Sequence, residues 1–210
     1  PENLDAAHVL IDVYWKDENW VRAEPLLELL LRGQADGDIR ELQLLNYKLG
    51  LCTDRLQKFD KALLHYRQSY ELDSTHLPTL QAMGELLTTR GEWDRAFKIF
   101  QTLLVHHRDH LDDNDIAQIF YQQGRIKLEV GEKRKALDFY RKSLDIAPNT
   151  VDSLKAVAEI HEARGDWEDV VHYRRRLIDQ LPEGVERLQM LVSLGEVLSE
   201  RLANTRAAIE

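Results

Sequence analysis

Cysteine is almost absent: Cys52 is alone among 210 residues, so no intramolecular disulfide can form. That excludes the disulfide framework of a small secreted domain and sets the expected location as a reducing one, the cytoplasm. Basic residues are also in deficit. Lys and Arg number 28 against 37 Asp and Glu, a net charge of −9, which disfavours phosphate backbones and anionic membrane surfaces, so no nucleic acid is expected as a partner. No run approaches the roughly 20 apolar residues that a membrane-spanning helix needs, and no membrane insertion is expected. Five prolines and ten glycines fall at intervals rather than in clusters, which excludes a collagenous, disordered or many-turned β chain. The chain has no Gly-x-Gly-x-x-Gly, no phosphate loop, no His-Glu-x-x-His and no Gly-x-Ser-x-Gly. Neither an enzyme nor a cofactor is therefore expected.

What the chain does have is a period. Gly50, Gly84, Gly124 and Gly195 each sit inside an apolar helical pattern; Gly50 and Gly84 are 34 residues apart, as are Gly124 and the equivalent Ala158. A second landmark keeps the same register. Gly91-Glu92-Trp93-Asp94-Arg95-Ala96 returns as Gly131 to Ala136 and as Gly165 to Val170, with Lys58 to Ala62 and Asn19 to Ala23 as looser copies. Four residues past the small residue stands a large one: Leu27, Tyr66, Phe100 and Tyr140.

These residues resemble the tetratricopeptide repeat, a 34-residue pair of antiparallel helices with large residues at positions 4, 7, 11 and 24 and small ones at 8, 20 and 27. The resemblance implies an all-α fold, a right-handed α-α superhelix of antiparallel helix pairs. Repeats are expected at 4–37, 43–76, 77–110, 117–150 and 151–184, with a partial one at 188–210. The last stops inside what should be its second helix, around Thr205 to Ile209, so a piece of a longer protein is expected. Three residues depart from the pattern: Ile11 at position 8, Arg174 at position 24, and Pro25, which should kink or shorten the second helix.

A mid-helix glycine costs about 1 kcal/mol relative to alanine, so its recurrence needs a compensating contact. Close approach of position 8 to the small residue at position 20 is the expected one. Gly91, Gly131 and Gly165 suit a left-handed helix end, and Asn19 and Asp166 can cap the helix that follows. Trp20, Phe59, Trp93 and Trp167 share one repeat position, which implies packing between neighbouring repeats.

One polar cluster, His106 to Asp115, has two histidines four apart that would share a helix face and could hold a metal. The linker between repeats accounts for it better, with Asp113 or Asp115 capping the next helix. No metal is expected, and Cys52 reads as a buried hydrophobe rather than a nucleophile.

Binding is the expected activity, because stacked helix pairs present a wall of first helices. At about 100° per residue, positions 4, 7, 8 and 11 turn inward, leaving 2, 5, 9 and 12 to face the groove. Positions 5, 9 and 12 give Asp12, Trp15, Tyr47, Glu85, Tyr121, Arg125, Lys155 and Glu159 as candidate groove residues. Aromatics among carboxylates suit a protein or peptide partner, preferably basic. Position 9 has no Asn, and Arg125 stands alone among carboxylates there, which argues against a clamp for a C-terminal carboxylate. An interaction scaffold is the expectation; a docking arm of an enzyme lying outside this segment, or a self-associating array, are the alternatives.

Overall fold

A computed structural model describes residues 4–33 and 38–202. The expected close of the first repeat at 34–37 and the end of the last at 203–210 lie outside the described residues. The described residues are helical and fall into two compact units divided after His107. The first holds α1 (Leu4–Lys16), α2 (Trp20–Gly33), α3 (Ile39–Arg55), α4 (Phe59–Leu72), α5 (Leu77–Thr89) and α6 (Trp93–His106). The second holds a 3-10 turn (Arg108–His110), then α7 (Asp113–Glu129), α8 (Lys133–Ile146), α9 (Val151–Arg164), α10 (Trp167–Gln180) and α11 (Val185–Glu196), which runs into a π turn (Val197–Arg201).

Each pair turns its corner on a left-handed residue. Gly91 (φ 70°) and Gly165 (φ 78°) do so without strain, whereas the first two pairs use Glu18 (φ 52°) and Gln57 (φ 59°) at the same repeat position. The conformation is thus imposed by the packing of the pair even where glycine is missing.

Pairing is held by position 8 and position 24. A Cβ on Gly50 would lie 2.4 Å from Cδ1 of Tyr66, one on Gly84 2.9 Å from Phe100, and one on Gly124 2.5 Å from Cε1 of Tyr140. The nearest atoms to each glycine belong to the ring at position 24, one turn beyond the small residue at position 20. The space they leave is filled by a ring, buried at 0–2% exposure, in each of the three pairs.

The departures each find a local solution. α2 spans Pro25 and is 14 residues long, the same as α4, α6, α8 and α10, so the expected shortening does not occur. Pro25 is exposed, and the carbonyl it leaves unbonded belongs to the exposed Val21, where water can satisfy it. Arg174 is buried in the place of a ring and donates to Glu162 Oε2 at 2.6 Å and to the Ser193 carbonyl at 3.4 Å. α6 ends at His106, so His106 and His110 do not share a helix. The cap of α7 is Asp112, not Asp113 or Asp115; Asp115 completes a capping box with it. At Asn19 the side chain accepts from the Arg22 amide at 3.4 Å, whereas the Asp166 carboxylate makes no such cap and turns to His161 instead.

Neighbouring pairs are joined by buried hydroxyls as well as apolar contact. Ser69 Oγ on α4 lies 2.9 Å from Thr79 Oγ1 on α5, and Gln43 donates to Ser69 at 2.8 Å. Ser143 and Ser153 form the same link between α8 and α9, at 2.7 Å.

Candidate functional site

In the first unit, α1, α3 and α5 carry Asp12, Trp15, Tyr47 and Glu85. Tyr47 is half-buried: its ring lies 6.4 Å from that of Tyr66 and meets the edge of His76 at 5.0 Å. Burial pushes its hydroxyl above the ordinary tyrosine range, and the negative charge of Glu85 on the next first helix adds to the shift. α3 and α5 therefore bring an aromatic hydroxyl and an exposed carboxylate together, one repeat apart. Trp15 packs edge-on against Trp20 at 5.0 Å with the Lys48 ammonium 5.9 Å above its ring, so part of its surface is already used by its own corner. Asp12 is exposed on the rim of a cleft between α1 and α3.

The second unit groups the other four. Tyr121 on α7 lies 5.7 Å from Tyr140, ring to ring. Its hydroxyl is pushed upward first by burial and then by Asp152, with Glu159 adding to the rise while Arg125 and Lys155 oppose it. Four charged groups from α7 and α9, two of each sign, thus surround one hydroxyl. Two of them are engaged already: Lys155 donates to Glu186 on α11 at 2.7 Å, and Arg125 to Gln122 at 3.0 Å. Asp152 and Glu186 were missing from the sequence-based set. Asp152 occupies position 2, one of the four groove-facing positions, whereas Glu186 precedes its repeat and carries no positional signal.

The groups that could bind a metal lie elsewhere. His161 Nδ1 stands 3.1 Å from Asp166 and 3.3 Å from Asp169, and these ligand-type atoms all lie within 4.8 Å of one another. His161 is buried and stacks on Tyr173 at 5.7 Å. The two carboxylates satisfy its Nδ1 and tie the end of α9 to the start of α10. Cys52 is likewise internal, its thiol donating to the Trp20 carbonyl at 3.3 Å.

Antiparallel helix pairs whose second helices begin at Phe59 and Trp93, and again at Lys133 and Trp167, keep a 34-residue register and define an α-solenoid repeat protein. A tetratricopeptide repeat model matches residues 76–149. The helix pairs are consistent with about six repeats of this kind. Its fold is similar to that of a tetratricopeptide repeat protein from Parabacteroides merdae, with a TM-score of 0.73 at 17% identity over 98% of this chain and 76% of that one. YrrB, described as a tetratricopeptide repeat protein with an unusual peptide-binding site, gives a TM-score of 0.56 at 14% identity, covering 79% of this chain and 80% of that one. Lipopolysaccharide assembly protein B of Escherichia coli K12 is 23% identical over 145 residues, which are 69% of this chain and 36% of the relative. This chain thus spans about a third of that relative's length.

Tetratricopeptide arrays are typically non-enzymatic scaffolds for protein partners. Among the described residues, no helix is long and apolar enough to cross a membrane.

Proposed function

We propose that this chain is a protein-interaction scaffold whose first-helix faces, on each unit separately, receive a peptide or helix from a partner protein. One observation carries the reading: two half-buried tyrosines stand beside charged groups of the first helices, Tyr47 beside Glu85, and Tyr121 among Asp152, Glu159, Arg125 and Lys155. Rings of this kind supply rigid contact area at little entropic cost, and on the first unit the carboxylate beside Tyr47 favours a basic segment. The name of the assembly protein to which the chain is similar, and the peptide-binding site of YrrB, fit a scaffold of this kind. A pull-down with Tyr121→Ala combined with Glu85→Lys tests it. Loss of the partners bound by the wild type is expected; an unchanged set moves the contact off these faces.

Self-association is a second reading with its own observation. Repeat positions 7 and 10 are buried in later repeats, as Leu49 and Cys52, Met83 and Leu86, and Val157 and Ile160. On α1 the same positions are Leu10 and Val13, 41% and 47% exposed. Light scattering of Leu10→Glu against the wild type checks it, with a fall in mass at high concentration expected. The buried single cysteine supports a reducing, cytoplasmic location, to be checked by fractionation.

A further inference from the structure

Repeat positions 5, 8 and 24 make a layered filling in the second and fourth pairs. Tyr47 covers Tyr66, which covers Gly50; Tyr121 covers Tyr140, which covers Gly124. In the first pair the same positions hold His8, Ile11 and Leu27, so two rings are replaced by an imidazole and an isobutyl group. Their place is open. A cleft of about 140 Å³ lies there, between α1 and α3.

Its floor is dry. Ile11, Leu27, Leu30 and Leu45 line it, each no more than 4% exposed. The rim is polar, with the carboxylates of Asp12 and Glu41 against the single ammonium of Lys48. His8 stands 3.8 Å from Glu41 at the mouth. An apolar cavity of about 150 Å³ stays dry and accepts a benzene-sized guest, so this cleft matches one leucine, isoleucine or phenylalanine side chain. Two carboxylates at its mouth favour lysine or arginine on either side of that residue.

We infer that the cleft between α1 and α3 is an anchor pocket for one bulky apolar side chain of a partner peptide, flanked by basic residues. The inference rests on the peptide-binding reading above and gives that reading a residue-level chemistry on the first unit. The anchor replaces the internal ring that the first repeat lacks, and Asp12 acts at the rim rather than as an isolated groove charge. Each Ala in place of the anchor forfeits the burial of a whole side chain, a loss of about tenfold or more in affinity.

The test uses two acetylated, amidated peptides, Lys-Lys-Leu-Lys-Lys and Lys-Lys-Ala-Lys-Lys, titrated into methyl-labelled protein and followed by NMR. The leucine peptide is expected to shift the methyl signals of Ile11, Leu27, Leu30 and Leu45 and to bind about tenfold more tightly than the alanine peptide. Leu27→Phe combined with Ile11→Gly, which gives the first pair the ring and the glycine that Phe100 and Gly84 supply in the third, is expected to fold and to abolish that difference. Equal binding of the two peptides, or shifts around Tyr47 or Tyr121 with none in the cleft, overturns the pocket and leaves the peptide-binding reading standing. No shift from either peptide overturns the pocket as well, and the pull-down with Tyr121→Ala and Glu85→Lys then decides the wider reading independently.

Discussion

Gly124 and Tyr140 interlock: the ring of Tyr140 occupies the volume where a Cβ on Gly124 would stand, with Cε1 2.5 Å from that position. Tyr140 is 1% exposed and has no room to withdraw. Helix propensity and packing therefore oppose each other at this residue. Propensity favours Gly124→Ala by about 1 kcal/mol; overpacking costs about 1 to 3 kcal/mol. Gly124→Ala is expected to lower stability in denaturant titration, and Tyr140→Leu in the same chain should relieve part of the loss. A purely additive double mutant would show that the two residues do not interlock.

Tyr66 carries a cost of its own. Its ring is fully buried and its hydroxyl has no hydrogen-bond partner. Phe100 holds the equivalent position in the next repeat, so the ring without its oxygen already fits this architecture. A buried unpaired hydroxyl costs about 1 to 3 kcal/mol. Tyr66→Phe is expected to raise the melting temperature, and a fall would mean the hydroxyl is bonded.

Gln57 holds a left-handed conformation, φ 59°, at a corner where three later pairs have glycine. Its own helix end is otherwise like theirs. Gln57→Gly removes the Cβ clash at a gain of about 1 kcal/mol or less, after glycine's greater freedom in the unfolded chain is deducted. A small rise in urea midpoint with an unchanged slope is expected. A fall would show that the Gln57 side chain contributes more than the strain it brings.

Alkaline pH should loosen the fold. Burial, with a further push from Glu24, raises the Cys52 thiol from its ordinary 9.0 to about 11. Below pH 9 the thiol is protonated in both states; between pH 9 and 11 the unfolded chain releases its proton and the folded chain keeps it. Stability is therefore full below pH 9 and declines as pH rises through 11. Burial shifts Tyr66 and Tyr140 in the same direction, above the ordinary 10.0, and steepens the decline beyond pH 10. Thermal melts from pH 7 to 11 should fall monotonically above pH 9. Cys52 should also resist a thiol reagent at pH 8 until denaturant is added; immediate modification would contradict its burial.

The helix pairs were legible because their signal is repeated: Gly91, Gly131 and Gly165 mark corners at fixed offsets from the small residues. Glu18 and Gln57 take the same backbone shape with no residue to announce it, because packing on either side decides φ there. That the Tyr66 and Tyr140 rings fill the space at Gly50 and Gly124 was not legible, since a period gives spacing along a helix and not the depth to which a ring from its partner reaches. The candidate site was partly legible for the same reason. Tyr47, Glu85, Tyr121, Arg125, Lys155 and Glu159 follow from repeat positions, and the structure groups them as two sets, one on each unit. Glu186 was invisible, because its ion pair with Lys155 depends on where α11 begins. The cleft beside Asp12 was also invisible: it is a missing volume, produced by His8, Ile11 and Leu27 together, and no single residue encodes it.

On the reading proposed above, the first-helix faces bind partner segments through Tyr47 and Tyr121 and the charged groups beside them. The most direct measurement is affinity capture at low and high salt with the wild type and with Tyr47→Ala/Tyr121→Ala. Partners are expected that the double variant loses and that weaken for the wild type as salt screens the carboxylates. Partners retained in full by the double variant, at either salt, would contradict it.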